Sequence, residues 1–129
     1  MKKNSILVLF AAILFSCSEN KEQATEQKKD NGIIETHPVH GNVVQATFKV
    51  WGNCETCKDA IENSLRADGI SNADWNIETK LISVTYDSTK INLDKIEQKI
   101  AAAGYDNAKY KGDDKAYENL PACRKYERK

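Results

Sequence analysis

Methionine occurs once in the 129 residues, at the initiator position, and proline and histidine occur twice each. The signs of charge cancel, 19 basic against 19 acidic side chains, for a formal net charge of +0. Each shortage excludes something. Without a broad basic face there is no footprint for nucleic acid. His37 and His40 stand together in a polar stretch, so no nucleophile has a legible base, and no glycine-rich phosphate loop occurs. No apolar run is long enough to cross a bilayer. A chain of 129 residues supports one small core and no large substrate cleft. An enzyme is not expected.

What is present begins with Lys2-Lys3 and the unbroken apolar run Ile6 to Phe15, which suits the core of a signal peptide. The run ends in Leu14-Phe15-Ser16-Cys17, which resembles the lipobox of bacterial lipoproteins. That resemblance implies cleavage of residues 1–16, a lipid on Cys17 and a membrane-anchored protein of the bacterial cell envelope, periplasmic or outer-membrane. An ordinary signal peptide or a short buried helix is the alternative. Residues 17–42 are too polar to offset their ordering entropy and read as a flexible tether. Within them His37-Pro-Val-His40 offers two imidazoles, but no further ligand lies nearby, so the pair reads as part of a solvated linker.

At Val43 the pattern changes. Ala46, Phe48 and Val50 alternate with Thr47, Lys49 and Trp51 as in a half-buried strand. A helix follows with Ala60, Ile61, Leu65 and Ala67 on one side and Glu62 placed to pair with Arg66, stopped by Gly69. Strands are predicted around Ala73-Trp75-Ile77 and over 81–86, with Glu78-Thr79 as the turn between them. Asn92 caps a second helix that buries Leu93, Ile96, Ile100 and Ala103 and closes at Gly104. A fourth strand is predicted over 106–111. The order is β-α-β-β-α-β, a ferredoxin-like α+β sandwich with two helices on a four-stranded antiparallel sheet over residues 43–111.

Chemistry concentrates in Cys54-Glu55-Thr56-Cys57, between the first strand and the first helix. The spacing lets both sulfurs converge, and the free amides and positive end of the helix favour thiolate. Two soft thiolates suit Cu(I) or another soft ion that accepts two ligands. A structural disulfide, or a thiol–disulfide redox or interaction module, would use the same pair, and a structural zinc site would need four ligands where the motif supplies two.

Placed in this element order, the motif resembles the heavy-metal-associated domain family. The resemblance also rests on Ala60-Ile61-Glu62, Val84-Thr85-Tyr86-Asp87 and Ala102-Ala103-Gly104-Tyr105. It implies a metal-binding, non-enzymatic, monomeric domain that holds Cu(I) first, and Hg(II) or Zn(II) after, through Cys54 and Cys57. It implies Tyr105 near the metal, and a metal-transporting ATPase or another metal-binding protein as partner. With Phe48-Lys-Val-Trp-Gly-Asn-Cys54 and a Pro-x-Cys tail, the chain is similar to lipoproteins of the Bacteroidetes type. One departure concerns the family's methionine before the motif: Trp51-Gly52-Asn53 stands there, and Trp51 or Tyr105 is expected to fill its place. In the C-terminal extension, 112–129, Asp113-Asp114 is expected to cap a short helix that Pro121 ends. If the tail returns along the sheet, Cys123 is a candidate third thiolate; otherwise it is a packed or free thiol.

Overall fold

The computed structural model describes Gly32 and residues 34–129, so the expected signal segment, Cys17 and the first part of the expected tether lie outside it. The described elements are β1 (Glu35–His40), β2 (Val43–Lys49), α1 (Glu55–Ser64), β3 (Ile70–Trp75), β4 (Leu81–Asp87), α2 (Leu93–Ala102) and α3 (Asp114–Glu118), with a single 3₁₀ turn at Ala122–Arg124. The sheet is antiparallel in the order β1-β2-β4-β3. Alternation turns Ala46, Phe48, Ile82, Val84 and Trp75 to one face, with Phe48 opposite Ile82 and Ala46 opposite Val84. On that face Ile61 and Leu65 from the first helical segment and Ile96 and Ile100 from α2 complete the core. The fold is the ferredoxin-like α+β arrangement, two helices on a four-stranded antiparallel sheet.

Local signals act as their chemistry dictates. Asn92 Oδ1 accepts the Lys95 amide at 2.9 Å and caps α2. The Asn76 side chain accepts the amides of Glu78 and Thr79, both at 2.9 Å, and makes the β3–β4 turn. The Glu62–Arg66 pair does not form. Glu62 turns inward to Lys58 and to the Trp75 amide, while Arg66 bonds Asn63.

Two expectations are corrected. Part of the expected tether is structured: Glu35–His40 forms the edge strand β1 and pairs with β2 through a two-residue turn at Gly41-Asn42. Gly41 takes φ +57, which such a turn requires. Without β1, the outer edge of β2 would carry unpaired amides and carbonyls. Pro38 lacks an N–H and is tolerated because β1 is an edge strand.

The second correction is that residues 106–111 are not the fourth strand. Only one bridge survives, Val50 opposite Asn107. Asn107 is wholly buried, and its side chain donates to Glu97 O at 2.8 Å and accepts the amides of Lys109 and Tyr110. Asp106 beside it is equally buried. These polar anchors fold the segment on the spot, and β1 holds the edge it would have taken.

Because 106–111 does not run down the sheet, the tail starts near the end of the domain that carries Cys54. Asp113 caps α3 as expected, its Oδ1 accepting the Ala116 amide at 2.8 Å. Pro121 precedes the 3₁₀ turn. Tyr126 then enters the core, stacked on Tyr105 with ring centroids 5.6 Å apart, and its hydroxyl donates to Gly104 O at 2.8 Å. The Asp106 carboxylate accepts the Gly112 amide at 2.7 Å, Arg128 Nη2 at 2.8 Å and the Lys129 amide at 2.9 Å.

This cluster gives a stability prediction. Burial opposes the charge on Asp106, but Arg128 and the amides of Lys129 and Gly112 outweigh it and hold the carboxyl below its ordinary range. A depressed folded value means that the contribution to stability is complete above about pH 5 and is lost as pH falls through that value. Arg128→Ala leaves a buried carboxylate without its cation and should cost about 3 kcal/mol at pH 7 in urea unfolding. Adding Asp106→Asn should recover part of the loss and flatten the acid limb of the stability curve. A cost under about 0.5 kcal/mol would remove the ion pair from any structural role.

Candidate metal centre

The Cys54–Cys57 loop is set by what lies beneath it. Trp75, at the end of β3, donates its indole N–H to Val50 O at 3.1 Å and packs closely against Gly52. A Cβ on Gly52 would come within 2.9 Å of the indole ring, so only glycine lets the loop rest there. Trp75 and Tyr105, both wholly buried, are the aromatic support of the loop. Trp51, the other expected support, is half-buried against the core and carries Lys49 and Lys129 over its ring at 4.7 and 5.8 Å. Alternation along β3 marks Trp75 as a core residue, but nothing in the sequence says that this part of the core underlies the loop.

Cys54 is the N-cap residue of α1, with extended backbone and its carbonyl accepting the amides of Cys57 and Lys58 at 3.0 and 3.1 Å. Cys57, one turn on, points into the domain and is wholly buried, whereas Cys54 is half-buried. The two sulfurs lie 3.0 Å apart, so the predicted convergence is present. Thr56 Oγ1 is 3.1 Å from Cys54 Sγ, and Cys57 Sγ donates to Asn53 Oδ1 at 3.2 Å. Neither Asn53 nor Thr56 was singled out from the sequence; an Asn before the first cysteine and a hydroxyl two residues after it were the available signals.

The two thiols are unequal. At Cys54 partial burial opposes ionisation, but hydrogen bonds from Cys57 and Thr56 and the nearby amides of both outweigh it, so its pKa is lowered. No amide is a geometric cap bond to the sulfur; the N–H groups act as nearby dipoles. At Cys57 burial is the main cause of a raised pKa, with the neighbouring Cys54 adding to it. The pair therefore ionises at Cys54 first.

Tyr105 lies beside the Cys57 sulfur. Burial, and then the Cys57 sulfur, push its phenol far above the ordinary value, and its buried hydroxyl meets no hydrogen-bond partner among the described residues. Of the two readings of Cys123, the structure has the free thiol. The tail does return, but it offers main-chain oxygens: Cys54 Sγ donates to Cys123 O at 3.2 Å, and Arg124 O is 3.8 Å from Cys57 Sγ. The Cys123 side chain is exposed, and among the described residues no three His, Cys, Asp or Glu side chains group closely enough to hold a metal ion. His37 and His40 are exposed on β1, with His37 nearest Glu35.

Residues 47–106 match the model of the heavy-metal-associated domain. The copper chaperone CopZ of Staphylococcus aureus (strain JH9) is 38% identical over 55 residues, which are 42% of this chain and 81% of that protein. Among solved structures, a CopZ metallochaperone is 36% identical over 50% of this chain and 98% of its own, with a TM-score of 0.48. Oxidized MerP from Ralstonia metallidurans CH34 is 24% identical over 51% and 94%, with a TM-score of 0.46.

The inequality of the thiols is measurable. Iodoacetamide trapping across pH, read by peptide mass spectrometry, should label Cys54 at lower pH than Cys57. The Cys54 midpoint should fall below the value of about 8.5 for a free thiol. Thr56→Val should move the Cys54 midpoint upward. Coincident midpoints would show that the loop does not differentiate its sulfurs.

Proposed function

Because this chain belongs to the heavy-metal-associated domain family, we propose that it carries a soft ion, Cu(I) foremost, between Cys54 and Cys57. Members of that family are metal-binding carriers, and the chain is a carrier rather than an enzyme. The observation that carries the choice of ion is the donor set. Two sulfurs converge at 3.0 Å, and the described residues supply no third ligating side chain of the His, Cys, Asp or Glu kind. Soft thiolates in a pair fit a two-coordinate ion. Hg(II) shares that preference and ranks second; Zn(II), which takes four ligands in structural sites, ranks last.

The protein's own residues supply three things. Cys54, the more acidic and more accessible sulfur, meets the ion first. Cys57 then gives up its proton from a buried position, which the ion's positive charge makes favourable. Tyr105 and Trp75 keep the inner side dry and firm. Delivery follows by thiolate exchange: a partner's thiolate binds the ion, and one of the two cysteines leaves it. A metal-transporting ATPase or another thiol-bearing metal carrier fits that chemistry. The proposal extends to the N-terminus, with residues 1–16 removed, Cys17 lipidated and the domain held at the bacterial envelope as a monomer.

Two measurements test the reading. In competition with a chromophoric Cu(I) chelator, Cys54→Ser or Cys57→Ser should weaken binding by more than about 100-fold, about 2.7 kcal/mol, with little change in folding. Unchanged affinity would rule the pair out as ligands. A free thiol count in protein purified without reductant separates the carrier from a redox module, which would hold the pair as a disulfide insensitive to copper. For the anchor, Cys17→Ala should move the protein from the membrane to the soluble fraction or leave it unprocessed. Fatty-acid labelling that survives the substitution would refute the assignment.

A further inference from the structure

We propose that residues 121–125 form a strap over the thiol pair, which the ion and any incoming thiol partner must lift. The proposal rests on Cys54 and Cys57 being the metal ligands and concerns how access to them is controlled. The inner side of the pair is closed: Cys57 is wholly buried, Gly52 rests on Trp75, and Tyr105 lies beside Cys57. On the side left for approach lie three successive carbonyls of the tail. Cys123 O accepts from Cys54 Sγ at 3.2 Å, Arg124 O stands 3.8 Å from Cys57 Sγ, and Lys125 O accepts from Asn53 Nδ2 at 2.9 Å.

The strap is firm at its ends and weak between them. Upstream, α3 sits against Gly104, where a Cβ would meet the Tyr117 amide at 2.8 Å. Downstream, Tyr126 is buried on Tyr105, and Arg128 is paired with Asp106. Between these anchors Pro121, Ala122 and Cys123 are exposed, so little apolar surface holds them down. The middle is held instead by contacts to sulfur, by the Asn53 amide and by the Lys125 ammonium, which donates to Tyr117 O and Glu118 O. A segment with firm ends and few buried contacts opens locally without global unfolding.

The contact to sulfur also opposes loading. Cys54 Sγ donates to Cys123 O only while the sulfur carries a hydrogen. An ion that replaces the hydrogen leaves an electron-rich sulfur facing an electron-rich carbonyl, and a carbonyl oxygen is too hard a donor to serve a soft ion well. Closure and loading are therefore antagonistic. By reciprocity, the strap weakens ion binding by the factor with which the ion opens the strap.

The test is hydrogen–deuterium exchange on the full chain under anaerobic conditions, with and without one equivalent of Cu(I). The amides of Leu120, Arg124 and Lys125, bonded to Tyr117 O, Pro121 O and Ala122 O, should exchange about tenfold faster when loaded, while those of β2 and β4 stay unchanged. If Cu(I) binds through Cys54 and Cys57 and these amides keep or gain protection, the strap is overturned and the carrier reading stands. If Cu(I) does not bind, the carrier reading fails, and the strap is decided by a metal-free arm. In that arm Pro121→Gly with Ala122→Gly, both outside the site, should speed iodoacetamide modification of Cys54 several-fold over the otherwise unaltered chain. Equal rates would mean that the strap covers nothing.

Discussion

The carboxylate of Asp106 has no exposure to solvent, and a charge so placed must be met by donors or the fold does not form. The donors come from different parts of the chain: the amides of Gly112 and Lys129 and the guanidinium of Arg128. Its main-chain oxygen accepts the Trp51 amide at 2.9 Å, just before the metal loop. One residue thus ties the exit of β2, the end of α2 and the C-terminus together. It bends 106–111 out of the sheet, returns the tail to the thiol end and keeps Tyr126 stacked on Tyr105. The cover of the site is a consequence of where this charge was buried.

The thiol pair is built on the same principle of unequal surroundings. A helix start, a hydroxyl and a neighbouring thiol act on Cys54, and burial acts on Cys57. The proton on Cys54 is the easier to displace and that on Cys57 the harder, so an ion that takes both sulfurs replaces them unequally.

Much of this was legible in the sequence, because it is carried by local patterns. Alternation in β2 and β4, the Asn92 cap, the Gly104 stop and the Cys54–Cys57 spacing each act over a few residues. What escaped notice depends on distant partners. The fourth strand expected at 106–111 loses to polar groups that find their donors many residues away in the tail. The edge strand β1 carried one readable sign, Gly41-Asn42 between extended residues, masked by the polar composition around it. Cys123 drew attention as a sulfur, whereas the tail meets the site with its backbone, which no residue type announces. Trp75 was placed in the core but not under the loop, since periodicity reports a face and not a position along it.

The hairpin of β1 has a consequence for orientation. Strand β2 runs toward the thiol loop, and β1 runs against it, with Glu35 opposite Thr47 and His40 opposite Val43. The chain therefore enters the domain beside its cysteine-bearing end; had the domain begun at Val43, it would enter at the far end. Whatever precedes Glu35 in the chain is thereby joined to the domain at its thiol end, so that entry of the chain and access to the sulfurs share one side of the sheet.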